Sequence, residues 1–283
     1  MKTAIASAFG FCLFVSALSK GSALEPAQPA LAPALTPVVV FGADARLTIE
    51  NFARARRLDP ARLRRRYAAT GTVHCGAAHG AGQLTLADDV VTTAAHVLYD
   101  RSGHLRGDGA HCLFVVEAGG LEIATALEPS GAIVGSTDPY NESPVHDWAV
   151  VKLARPLREA EPYPLAAPPR LRAPVLFVAR GALDWPAGAS VQSCRLRDGL
   201  EDGAEGTREF AFDCAAGMGA SGSGLLDGEG RALLAIFVGF RSVAPDRALP
   251  FSATHYNFAV TVEGAFRRAV ERQAALGATA AAR

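Results

Sequence analysis

The 283-residue chain carries no surplus of either charge: 28 Lys and Arg stand against 28 Asp and Glu. Without a basic excess nothing drives counterion release from a polyanion, which excludes a protein devoted to coating nucleic acid or an anionic membrane. Lysine is scarce, with only Lys2, Lys20 and Lys152 among the cations, a scarcity we read as base composition rather than function. No Cys-x-x-Cys pair occurs, and no paired cysteines precede His74 and His79, which argues against a structural zinc site. No internal repeat is apparent. What is present is an apolar share of 49% with 20% charged residues. That composition suffices for a core and excludes wholesale disorder and collagen-like repetition.

The N-terminus reads as an export signal. Lys2 precedes an apolar block from Thr3 to Leu18, and Ser-Lys-Gly-Ser-Ala closes at Ala23. A cationic start, a short apolar core and small residues at the end mark residues 1–23 as a signal peptide, with no stop-transfer cluster behind it. The mature protein is then expected to be periplasmic or secreted, without stable membrane association. Cys12 would leave with the signal. Cys75, Cys112, Cys194 and Cys214 remain, an even number in an oxidising compartment, so disulfides are expected. Four cysteines allow three pairings, and at this point the choice stays open.

Residues 24–40 hold four prolines among Ala and Leu and read as an extended linker. Residues 41–70 form an N-terminal segment, a candidate pro-segment, with two short helix-compatible stretches between Asp44 and Arg66 broken at Asp59-Pro60. Within it, Arg64-Arg65-Arg66 reads as a solvated face rather than a processing site. Residues 71–283 are expected to form one all-β domain. Short β-branched runs such as GTVHC, GQLTL, VVTTAA, HCLFVV, LEIATAL, GAIVG, WAVVKL, APVLFVA and ALLAIFVGF alternate with Gly, Pro and Asp. Many short strands at close spacing argue an antiparallel barrel or sandwich, with room for two packed barrels. Only the tail, about Val262 to Leu276, has helical period, placing Ala265, Phe266, Val270 and Ala274 on one face.

Three segments carry chemistry. VVTTAAHVLYD sets His96 after an apolar strand, HDWAVVKL sets Asp147 directly before one, and GMGASGSGLLD holds Ser221 in a glycine-dense turn. A serine hydroxyl is a poor nucleophile alone. It needs a base within hydrogen-bond reach, and the base needs a partner that fixes its tautomer. Ser221, His96 and Asp147 are the residue types for those roles, and the turn around Ser221 can aim amide N–H groups at one point.

TAAH followed by Val97, DWAVVKL and GASGSG resemble the His, Asp and Ser motifs of the chymotrypsin-fold serine peptidases, in that family's order. FGADAR (residues 41–46) resembles a stretch found in the secreted bacterial branch that holds the glutamyl endopeptidases. The resemblance implies two packed antiparallel six-stranded β-barrels, here with a C-terminal α-helix. It implies His96 as general base, Asp147 as its orienting carboxylate, Ser221 as nucleophile, and the N–H groups of Gly219 and Ser221 as oxyanion hole. It also implies Cys194–Cys214 as one disulfide and leaves Cys75–Cys112 as the other. By the same analogy Ala215, Ala216, Phe237 and Gly239 line the S1 pocket. With no carboxylate at Ala215 and no histidine at Phe237, basic and acidic P1 residues are disfavoured. The implied function is an exported, monomeric serine endopeptidase acting on polypeptides, with no metal, cofactor or nucleic acid. Ala220 stands where many relatives have the Asp that receives a new N-terminus, and Val97 where a cysteine is frequent. Phe240 falls where a glycine is common and could crowd the cleft, which keeps open an inactive, peptidase-like binding protein as the alternative.

Overall fold

A computed structural model describes residues 38–281 except Ala110 and Asp246. The expected signal peptide, and the linker as far as Pro37, lie outside the described residues. Val38–Val40, read as the end of that linker, belong to strand β1 (Val38–Phe41). After β2 (Leu47–Thr48) come helices α1 (Ile49–Arg56) and α2 (Pro60–Tyr67). Both helices start on side-chain caps. Thr48 accepts from the Asn51 N–H, and Asp59 accepts from the Ala61 and Arg62 N–H groups, ahead of proline at the first helical position. Phe52, Leu63 and Tyr67 are buried, while Arg64 and Arg65 are exposed.

The first barrel is built from β3 (Thr70–Cys75), β4 (Ala78–Leu84), β5 (Val90–Thr93), β6 (Cys112–Ala118), β7 (Leu121–Val134) and β8 (Ala149–Leu153). It closes in the order β3-β4-β5-β8-β7-β6, and the short helix α3 (Ala95–Leu98) follows β5. LEIATAL and GAIVG, two runs in the sequence, are one strand, β7, whose register with β8 slips between Glu128 and Ile133. Such a slip bends a strand without ending it. Cys75 and Cys112 face each other across β3 and β6 and form a disulfide.

The second barrel uses β9 (Pro174–Ala179), β10 (Ser190–Asp202), β11 (Arg208–Phe212), β13 (Gly224–Asp227), β14 (Leu233–Ser242) and β16 (His255–Thr261), with β12 (Ala216–Gly217) and β15 (Ala248–Leu249) outside it. Pairing runs β9-β10-β11-β16-β14-β13 and returns to β9, so this sheet is also closed. Cys194 on β10 and Cys214 beyond β11 form the second disulfide. Phe177, Phe212 and Phe237 meet edge to face inside it, with ring centroids 5.4–5.9 Å apart, the arrangement that aromatic quadrupoles favour.

The C-terminal helix α4 (Gly264–Ala281) docks on the first barrel. Phe266 stacks on Trp148 at 4.9 Å, and the Gln273 side chain donates to the Gly131 carbonyl at 2.9 Å. The molecule is thus all-β, two closed six-stranded barrels plus a C-terminal helix, the chymotrypsin-like architecture.

Candidate active site

His96 lies in α3, just past β5. Asp147 closes the 3-10 turn Pro144–His146 and leads into β8. Because β5 and β8 are hydrogen-bonded neighbours, Thr93 opposite Ala149, the two side chains leave the first barrel side by side. One Asp147 oxygen accepts from the His96 backbone N–H at 2.9 Å. The other lies 2.6 Å from His96 Nδ1. A carboxylate only accepts, so Nδ1 carries the proton and Nε2 keeps its lone pair. Asp147 is buried, with its side chain 8% exposed against 19% for His96.

Ser221 comes from the second barrel, on the turn between β12 and β13. The turn is sewn to the first barrel: the Ser221 carbonyl accepts from the Ala81 N–H at 2.6 Å, and the Gly222 carbonyl accepts from the Gln83 side-chain amide at 2.6 Å. Gly222, at φ +89°, faces the Ala81 carbonyl so closely that a Cβ would sit 2.1 Å from its oxygen. No hydrogen bond within the described residues uses the N–H of Gly219, the N–H of Ser221 or the Ser221 hydroxyl. Two unspent amide donors thus flank the hydroxyl.

His96, Asp147, Gly219 and Ser221 line one cavity of about 540 Å³, together with Tyr140, Met218, Phe240 and Phe258. Phe237 and Gly239, expected in the S1 pocket, line it as well. Ala215 and Ala216 do not: they are 4% and 2% exposed. Both backbone groups of Ala215 are bonded to the buried Gln192 amide, and Ala216 is paired to Val39 of β1. The carbonyl and N–H they would present are already spent, and Gly217 and Met218 form that wall instead. Phe240 is half-buried on the wall, beside the cleft rather than remote from it.

Several positioning residues carried no signal of their own in the sequence. Arg106 donates to the carbonyls of His96 and Tyr99 and to the Tyr140 hydroxyl, bracing the histidine segment. His79 donates through Nε2 to the Gly181 carbonyl, 2.7 Å away, next to Gly219. Gly219 has φ +88°, and a Cβ there would lie 2.3 Å from the Gly181 oxygen and 2.6 Å from His79 Nε2. Gly219→Ala is therefore expected to displace its N–H while leaving the barrels intact. The expected loss is about 10²–10³-fold in kcat in a variant that melts lower than wild type because of this strain and is assayed well below its melting temperature; a variant within threefold of wild type would exclude Gly219 from transition-state binding. Among the described residues no group of three or more His, Cys, Asp and Glu side chains is placed to hold a metal, and no helix is long and apolar enough to cross a membrane.

The model of the trypsin-like peptidase domain matches residues 69–236, more than half of the chain, and the chain belongs to that family. No curated protein matches. Solved structures of similar fold include a Glu endopeptidase in complex with MPD, at 15% identity and a TM-score of 0.58, covering 84% of this chain and 100% of that one. Deg5 is similar at 15% identity and a TM-score of 0.50, covering 76% of this chain and 91% of that one.

Proposed function

We propose that the protein is an exported serine endopeptidase that cleaves polypeptides through an acyl-enzyme. The observation that carries this reading is the 2.6 Å bond from His96 to buried Asp147 in the cavity that also holds Ser221 and two free N–H groups. In the proposed cycle His96 Nε2 takes the Ser221 proton as the oxygen attacks the scissile carbonyl. The oxyanion sits on the Gly219 and Ser221 N–H groups. Collapse breaks the C–N bond, and the same proton leaves His96 on the departing amine. Water repeats the sequence, giving up a proton to His96 and releasing the acid.

The cavity wall made by Met218, Phe237, Val238, Phe240 and Phe258 supports an uncharged, apolar P1 residue, because a cation pressed against these side chains would lose its hydration with no carboxylate among them; Glu142, which also lines the cavity, is exposed to solvent. Two disulfides and the apolar leader support export. A maturation cut ahead of Val38 belongs to the same proposal, because β1 pairs with β12 and Phe52, Leu63 and Tyr67 are buried.

Cleavage of a proteome-derived peptide library by wild type and Ser221→Ala tests it. Wild type should cut after apolar residues and Ser221→Ala should not cut at all. Library cleavage that survives Ser221→Ala overturns the mechanism. The alternative, an inactive binding protein, draws on Phe240 at the cleft and predicts no cleavage by either form.

A further inference from the structure

FGADAR is the one motif that the proposed chemistry leaves unused, and its arginine is buried. The Arg46 side chain is 6% exposed, and its guanidinium bridges two carboxylates, Asp44 at 2.7 Å and Asp184 at 2.6 Å. It also lies over the Trp185 ring, 5.0 Å from the centroid. Asp184 and Trp185 belong to the loop after β9, a segment far away in sequence that runs along the turn holding Gly219.

That loop touches the turn twice. The Leu183 N–H donates to the Met218 carbonyl at 2.9 Å, and the Gly181 carbonyl packs against Gly219 while bonded to His79. On the opposite side of the turn, β1 pairs directly with β12, Val38 opposite Gly217 and Val39 opposite Ala216. Immediately after Arg46, β2 pairs with the start of β10, Leu47 opposite Val191 and Thr48 opposite Ser190, which fixes where Arg46 can reach. One continuous stretch, residues 38–48, thus grips the turn from both flanks: by backbone on one, and through Arg46 and Asp184 on the other. Ala220 has no carboxylate with which the turn could anchor itself.

From this arrangement we infer that Arg46 and Asp184 are a positioning pair for the oxyanion hole. They set the Gly181–Trp185 loop and through it the place of the Gly219 N–H, without touching substrate. The inference rests on the serine-peptidase reading. A guanidinium suits the task because its planar fork serves two carboxylates at once, which an ammonium does not. A displacement of about 1 Å in a group that binds the transition state can lower the rate roughly 10²-fold.

The test compares wild type with Arg46→Met, Arg46→Lys and the near-isosteric Asp184→Asn. Readouts are kcat and KM per titrated active site, the rate of labelling by a fluorophosphonate, and the melting temperature, all assayed well below melting. Arg46→Met should lower kcat and the labelling rate about 10²-fold with KM within threefold of wild type. Arg46→Lys should recover part of the loss and Asp184→Asn should fall between. Equal kcat and labelling rates in Arg46→Met and wild type would overturn the inference, as would a change confined to KM. Should Arg46→Met not fold, Asp184→Asn decides by the same two criteria. Wild type that takes no label at all removes the serine-peptidase reading itself, a result distinct from wild type and variants labelling alike.

Discussion

Asp147→Asn is expected to lower kcat by about 10⁴-fold while the fold persists. Asp147 has both oxygens engaged, one by the His96 backbone N–H and one by Nδ1. An asparagine can supply an acceptor to only one of them. With its oxygen on the backbone N–H, its amide group would meet Nδ1, and the ring would have to move its proton to Nε2. The face turned towards Ser221 would then hold a donor where a base is needed, and the imidazolium formed on attack would lose its counter-charge. Steady-state kinetics on wild type and Asp147→Asn at matched active-site concentration measure the effect. A loss smaller than about tenfold would mean that the 96–147 contact is structural only.

The second large effect concerns stability. Glu209 on β11 is 2% exposed, and its Oε1 has no hydrogen-bond partner. Burial pushes its pKa up; Arg241, 3.8 Å away, opposes this, and Glu201 on the neighbouring strand adds to it, leaving the value at about 7 against 4.5 for an ordinary glutamate. Arg241 compensates weakly because the Tyr256 hydroxyl holds it at 2.8 Å and it lies over the Phe258 ring. Below about pH 4.5 the carboxyl is protonated in both states, and its contribution to stability is complete. As pH rises towards and through 7, the unfolded chain gives up the proton readily and the folded one does not. Stability falls by about 3 kcal/mol in all. Glu209→Gln removes this slope, so it should match wild type near pH 4.5 and exceed it by about 2–3 kcal/mol at pH 8. Urea unfolding at both pH values checks this. A variant less stable than wild type at pH 8 would show that the ionised carboxylate is the form the fold prefers.

What the sequence reveals follows from which interactions are local. His96, Asp147 and Ser221 stand out because each is flanked by residues with their own constraint: a β-branched strand ahead of His96, a strand immediately behind Asp147, glycines around Ser221. The barrel strands were legible through short apolar runs, and α4 through its spacing of Phe266 and Val270. Other features have no local signature. The charged outer half of β10 is an exposed hairpin arm with β11, outside the alternation that marks a half-buried strand. β7 looks like two strands because a register slip interrupts its pattern. Gln83, Arg106 and His79 act on carbonyls that other segments bring to them, and only the tertiary arrangement pairs them. The S1 assignment of Ala215 and Ala216 met the same limit, since β1 and Gln192 occupy their backbone groups from 177 and 23 residues away. Arg46 is visible within FGADAR, yet its partner Asp184 is not.

The central claim is that the Ser221 hydroxyl is a nucleophile activated by its surroundings. The most direct measurement is the mass of the folded, disulfide-bonded protein after exposure to a fluorophosphonate, followed by peptide mapping. A single adduct per molecule is expected, on Ser221, formed much more slowly in Asp147→Asn. An unmodified protein, or an adduct that persists in Ser221→Ala, would contradict it.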